Sequence, residues 1–543
     1  MFRRHILTKG NCNRSWLRRS IQQAIVGAVV VTMLDSFLNA IFRFKPLPLG
    51  QRFAEPISFV GFNADEFDEQ KRDCLSIEDD AITRATLPEQ FGDSRLIAHR
   101  SAADFVEKFS LFGDGWGMYA TPSLSKFYHA IGCDQGWKGY FVREFAKGNL
   151  GLYSGRNTAT GFLDKSYGDV PIVVTGCATC HFGRAAGMDV PGLGNKNIDP
   201  YALGQWIATA DKSVSWMPIA ATSHSSLELQ TRSLEMAKRL CNEDNGNATQ
   251  GLVPVSLVIQ WFYRQQGVDW PSTMTPGAVK VPALWGYSGK FQSGIFCDGM
   301  GDGHNAAWAG MVELAAGNNV DNIRENVEKI IEAEHVLGLL LPPAYPNSID
   351  WKRASRGKLL FTEHCQVCHG RYAKDANGFP VFETPVHTNL DVVNTDDDRL
   401  NIVTKQSIEL IGQSPLKDVI RISPNYRRGY FAPRLDGIWS RFPYLHNGSV
   451  PNIWALLSKP ENRPRFFNLA DAGESHRFDP DDLGLRILPP GSVSSLQLQL
   501  KARAKSREVY DTSRLGQSNQ GHDFGSALSN EEKRMLIEYL KTL

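Results

Sequence analysis

Two cysteines three apart, with a histidine directly after them, occur twice in this chain. They are Cys177, Cys180 and His181 in T-G-C-A-T-C-H-F-G-R, and Cys365, Cys368 and His369 in H-C-Q-V-C-H-G. Such a pair of thiols can add across the two vinyl groups of a porphyrin, and the adjacent imidazole then reaches the iron as proximal ligand. At this composition one such triplet has a chance expectation of about 0.004 per chain, so a doubled one is not coincidence. A zinc module would also use two C-x-x-C pairs. It gives no reason for a histidine after each, and the 188 residues between the pairs are long for one small module. A thioredoxin-like redox pair accounts for one copy at most. The motifs therefore predict two covalently bound haem c groups, held by Cys177, Cys180, His181 and by Cys365, Cys368, His369.

The rest of the chain must position these groups. It has 543 residues, 42% hydrophobic and 22% charged, with 48 glycines and 28 prolines, which suits two or three loop-rich globular domains. The net charge of +1 shows no nucleic-acid footprint. Thioether attachment of haem follows export. The N-terminus has Arg3, Arg4, Lys9, Arg14, Arg18 and Arg19 before an apolar run, Ala24–Leu34. Residues 1–45 thus read as a signal peptide, with Leu38-Asn39-Ala40 as the best cleavage site, or as an N-terminal membrane anchor. Asp35 would be costly inside a span. Either reading puts the body in the periplasm or outside the cell, where disulfides persist. Cys74, Cys133, Cys241 and Cys297 are the cysteines left for them, with no pairing preferred.

No short repeat is visible beyond the two haem signals. The proline-rich stretch 341–348 follows a helical pattern over 322–340 and marks a boundary. Residues 46–345 form a first haem domain with large insertions, and 346–543 a second cytochrome c domain. A helix over about 350–364 runs into Cys365. The last helix opens with the capping box Ser529–Glu532 and carries the stripe Met535, Leu536, Tyr539, Leu540, Leu543. Gly357, unfavourable within a helix, fits a close crossing of these two helices, the frame of a class I cytochrome c. Pro171–Thr175 reads as a strand, and 202–211 and 225–240 as helices. The expected fold is mainly α: two class I cytochrome c-like domains with large loop-rich insertions and a few short strands.

The words C-A-T-C-H-F-G-R, G-L-G-N, P-A-L-W-G-Y, R-L-D-G-I-W-S-R-F-P-Y-L-H-N-G-S-V-P and N-Q-G-H-D-F-G, spread over residues 170–543, resemble the bacterial di-haem cytochrome c peroxidase superfamily. Within it they are closest to the rubber-oxygenase branch. In class I cytochromes the sixth ligand comes from the loop before the last helix, and rubber oxygenases use histidine there. The resemblance therefore implies His522 as the distal ligand of the second haem, with His446 as competitor. The histidine that many peroxidases carry after the first proximal one is replaced by Asn197, so the first iron lacks an obvious sixth ligand. Rubber oxygenases wall that face with apolar and aromatic side chains. Trp285 falls on the matching tryptophan, and Phe291 and Phe296 are looser matches; each also suits a plain core. The peroxidase word F-W-D-G-R reads F-C-D-G-M here, with Cys297 in place of the tryptophan.

Arg184, Arg371 and Arg434 are candidates to pair with haem propionates. Asp396, Asp397 and Asp398 are candidates for calcium, against the plainer reading of a solvated acidic loop. The function expected is a haem-dependent oxidoreductase, peroxidase- or oxygenase-like. Its first haem would activate dioxygen or peroxide, and its second would store or relay electrons. The partners would be that small oxidant and a redox partner or organic substrate. A di-haem electron carrier without a substrate of its own is the alternative. The long first domain and the missing sixth ligand favour the enzyme.

Overall fold

Asp350 starts the helix that leads to the second haem signal. Its carboxylate accepts the backbone N–H groups of Lys352 and Arg353 at 3.1 and 3.0 Å, two donors the first helical turn cannot pair. In the computed structural model this helix, α1, spans Trp351–His364. Cys365 ends it, and one further turn, α2 (Gln366–His369), carries the signal itself. The last helix, α3 (Asn530–Leu540), opens on the Ser529–Glu532 capping box read from the sequence. The structure describes residues 162–167, 170–175, 180–201, 249–284, 296–301, 320–325, 342–374, 380–381 and nearly all of 386–543.

α1 and α3 cross at Gly357, as the sequence suggests. A β-carbon there would lie 1.9 Å from the carbonyl oxygen of Met535, so only glycine admits the approach. Phe361, one turn on, packs its ring at 5.2 Å from Tyr539 and 5.6 Å from Tyr372. Buried aromatic pairs of this kind add about 0.5–1.5 kcal/mol each beyond their area.

The strands are short antiparallel pairs. β1 (Phe162–Tyr167) pairs with β2 (Val170–Thr175), the segment read as a strand. β3 (Phe182–Ala185) follows His181 directly and pairs with β4 (Met188–Pro191). β5 (Leu252–Pro254) pairs with β6 (Ala278–Lys280).

One hydrophobic core joins residues from both sides of position 345. Phe182, Val190 and Leu252 pack with Trp439, Phe442, Tyr444, Phe478, Tyr510 and the α3 residues Leu536 and Ile537. Polar contacts reinforce it: Arg507 grips Asp199 through two nitrogens at 2.5 Å. The proline-rich stretch closes over this core, where the Pro343 carbonyl accepts the Trp439 indole N–H at 2.9 Å. A second core gathers Trp261, Phe262, Met300, Ile402, Leu410 and Ile411. The helix read over 322–340 is described only at Val320–Glu325, and the patterns at 202–211 and 225–240 lie outside the described residues. So do the N-terminal segment 1–45 and Cys74, Cys133 and Cys241. No described helix is long and apolar enough to cross a membrane.

Candidate haem sites

At the second signal the helix end does the positioning. The N–H of His369 reaches back to the Cys365 carbonyl at 3.0 Å, so both cysteines and the histidine sit on one turn. Cys365 and Cys368 are free thiols. The Nδ1–H of His369 donates to the Pro433 carbonyl at 2.8 Å. That bond fixes the tautomer and leaves Nε2 as the lone-pair donor. Burial, opposed by this carbonyl, lowers the His369 pKa and favours the neutral ring.

The loop before α3 brings His522 to face it. The two ring centres are 6.2 Å apart, with the planes tilted by 56°. Two metal–imidazole bonds of about 2 Å, plus roughly 1 Å from each nitrogen to its ring centre, span about 6 Å. The separation therefore suits one metal ion between the rings. The Nδ1 of His522 is buried without a hydrogen-bond partner. Burial, then the neighbouring His369, pushes the His522 pKa down to about 4, which keeps the ring neutral near pH 7.

The His522 backbone is left-handed, at φ 45°, a conformation that costs a non-glycine residue about 1–3 kcal/mol. Two contacts hold it there. Its N–H donates to the Val393 carbonyl at 2.8 Å. The buried Arg463 guanidinium donates to the carbonyls of Asn519, Gly521 and His522 at 2.5, 2.7 and 3.0 Å. On its other side Arg463 holds the carbonyls of Ala455 and Ser458, both at 3.2 Å. Arg463 thus ties the His522 loop to the core. As one arginine among many, it carried no signal in the sequence.

At the first signal, Cys180 and His181 are described and Cys177 is not. The Nδ1–H of His181 donates to the Pro282 carbonyl at 3.0 Å, the same device as at His369. The sequence held a sign of this. Pro282 begins P-A-L-W-G and Pro433 begins P-R-L-D-G, a P-x-L-x-G repeat beyond the haem signals. The chain therefore does carry a second short repeat, contrary to the expectation of none beyond the haem signals. Trp285 and Phe291 lie outside the described residues. Phe296 packs, half-buried, against the second core. Beside it, Asp298 forms a buried ion pair with Arg399 at 2.5 Å.

His446 is engaged elsewhere. Its ring stacks on Tyr430 at 4.2 Å, and its Nε2 lies 3.1 Å from the Tyr430 hydroxyl. That hydroxyl has one proton, which goes to the Asp396 carbonyl at 2.7 Å. The His446 Nε2 is then the donor to the Tyr430 oxygen and has no lone pair for a metal. Burial, followed by Arg399 and Lys280, pushes the His446 pKa down to about 3.

Arg184 pairs with Glu474 at 2.8 Å, and Arg434 grips Asp436 through two nitrogens at 2.8 and 3.2 Å. Arg371 is exposed. The carboxylates of the acidic run serve protein donors. Asp396 accepts the N–H groups of Asp398 and Ser518, and Asp398 accepts that of Gly277, each at 3.0 Å. Asp397 pairs with Arg428 at 2.8 Å. Among the described residues no group of three or more His, Cys, Asp or Glu is arranged to hold a metal ion.

Paired thiols on one turn, an imidazole anchored through Nδ1 and a second imidazole one metal's width away are the donors a c-type cytochrome uses. Residues 429–468 match the family model described as RoxA-like, cytochrome c-like. This supports a relationship to RoxA-like cytochromes, and a cytochrome c-like domain implies covalently bound haem c. The matched segment contains Pro433, Tyr430, His446 and Arg463. Two proteins of Sinorhizobium fredii (strain NBRC 101917 / NGR234) are similar to this chain. One, named uncharacterized protein y4iJ, is 30% identical over a match covering 39% of this chain and 43% of that protein. The other, uncharacterized protein y4iM, is 28% identical, covering 44% of this chain and 61% of its own length. The chain thus spans less than two thirds of either relative.

Proposed function

We propose that this protein is an exported di-haem c-type cytochrome acting as a haem-dependent oxidoreductase, built on two class I cytochrome c-like units within the di-haem peroxidase superfamily. The observation that carries the reading is the doubled anchor. Two histidines, each the last residue of a C-x-x-C-H signal, donate Nδ1–H to a proline carbonyl that opens P-x-L-x-G. One such anchor would suit a mono-haem protein; two argue for two haems. The Arg-rich start and the apolar run 24–34 support export.

When bound, haem c supplies a one-electron couple and, at an iron with an open axial face, a seat for dioxygen or peroxide. The residues divide the work. Cys365 and Cys368 would tether one ring, with His369 and His522 on its two faces. A centre closed by two imidazoles suits electron storage or relay. Cys177 and Cys180 would tether the other ring, with His181 proximal and Trp285 and Phe296 walling the opposite face, where access would be controlled. The reaction would join a small oxidant to a redox partner or organic substrate.

The test is a pyridine haemochrome assay on the denatured full-length protein. Two covalent haems are expected, and one in the Cys177→Ala, Cys180→Ala variant. Zinc without iron would overturn the reading.

A further inference from the structure

Two buried lysines and a buried arginine cluster beside the turns that anchor the two histidines, and neither lysine has a carboxylate partner among the described residues. Lys280 ends β6, two residues before Pro282. Its Nζ donates to the carbonyls of Arg441 and Pro443 at 2.7 and 2.6 Å. Lys196 is 5% exposed. Its Nζ donates to the Arg184 carbonyl in β3 at 2.9 Å and sits 4.5 Å over the Phe442 ring. Arg441 donates to the Arg434 carbonyl at 2.5 Å, one residue after the Pro433 carbonyl that anchors His369. Among the described residues neither lysine meets a carboxylate; both Nζ groups point at carbonyl oxygens. Arg441 has Asp436 in its field.

Lys280 stands in the field of Arg441, and Lys196 in that of Lys280. Burial lowers the Lys280 pKa to about 7, with Arg441 next in weight and the Cys297 thiol opposing. Burial and then Lys280 hold Lys196 well below its ordinary range. Buried like charges persist when an anion joins them. Residues 441–443 touch both lysines, Lys280 through the Arg441 and Pro443 carbonyls and Lys196 through the Phe442 ring, and they follow the Pro433 turn, so the cluster bridges the two signals.

We propose that Lys196, Lys280 and Arg441 form a buried cationic bridge between the two haem seats and pair with carboxylates of the haem propionates. The proposal rests on the two-haem reading above. Arg441 would serve the haem held by His369, and Lys280 and Lys196 the haem held by His181. The bridge would also set the potentials of the two irons, because a propionate stripped of its cation favours the ferric state.

The experiment uses full-length holo-protein with Lys280→Met, Lys196→Met and the charge-keeping Lys280→Arg. Haem is counted first, and then each haem is titrated potentiometrically with optical detection. In Lys280→Met, at least one haem should shift its oxidised-to-reduced ratio about tenfold toward oxidised at fixed potential, which is about 59 mV for a one-electron couple. Lys280→Arg should stay within about twofold of the parent. If Lys280→Met does not load haem, loading with parental potentials in Lys280→Arg supports the charge requirement. Both methionine variants holding two haems at unshifted potentials would overturn the bridge. Fewer than two haems in the parent would overturn the two-haem reading itself.

Discussion

If His522 is the sixth ligand of a second haem, as proposed, replacing Arg463 by methionine should free it while leaving the haem's attachment intact. Three of the guanidinium's bonds go to the loop that carries His522, at 2.5, 2.7 and 3.0 Å, and the side chain is 5% exposed. Hydrogen bonds from a charged donor contribute about 1.5–3 kcal/mol each. Water can recover part of that once the loop opens. About 3 kcal/mol net is a conservative sum, and at 1.4 kcal/mol per tenfold it weakens closure by about a hundredfold. The strained φ of His522 adds to the drive to open. The assay is cyanide or carbon monoxide titration at the second haem, where an added ligand must displace His522. The apparent affinity should rise by up to about a hundredfold in Arg463→Met. Arg463→Lys keeps the charge and loses the fork, and should fall between. An affinity unchanged within about twofold, in a folded variant with two haems, would refute both the role of Arg463 and the displacement of His522 on which it depends.

Gly357→Ala drives a β-carbon into the Met535 carbonyl, an obstacle that cannot rotate away. Overpacking of this kind costs about 1–3 kcal/mol, so thermal unfolding monitored at the haem bands should move down by several degrees; an unchanged midpoint would remove the close crossing. Trp285→Ala should alter ligand-binding rates at the first haem and leave the second haem's spectrum unchanged. A change confined to the second haem would reverse that assignment.

Much of the frame at the second signal was legible because it rests on local rules. The Ser529–Glu532 cap, the helix running into Cys365 and the glycine at the α1–α3 crossing each leave a mark within a few residues. His522 was singled out by its place before the last helix and by the resemblance to rubber oxygenases, and its ring lies 6.2 Å from that of His369. What escaped is long-range and made by backbone. The acceptors for the two histidines are proline carbonyls 101 and 64 residues away, which a search for side-chain motifs passes over. Arg463, Lys196 and Lys280 read as ordinary basic residues, because their burial is a product of tertiary packing. Arg184 and Arg434, singled out by charge alone, have carboxylates of the protein beside them.

The most direct test of the central claim is electron paramagnetic resonance with parallel optical spectra on parent, His522→Ala and His446→Ala proteins. The parent should show one low-spin bis-histidine iron and one iron that binds added cyanide or carbon monoxide quickly. His522→Ala should turn the low-spin centre high-spin or water-ligated and leave ligand binding at the first haem nearly intact. His446→Ala should keep the low-spin signal, since its Nε2 is held by Tyr430. Loss of that signal in His446→Ala and not in His522→Ala would contradict the ligand assignment, and two six-coordinate irons inert to added ligands in both oxidation states would make the protein an electron carrier.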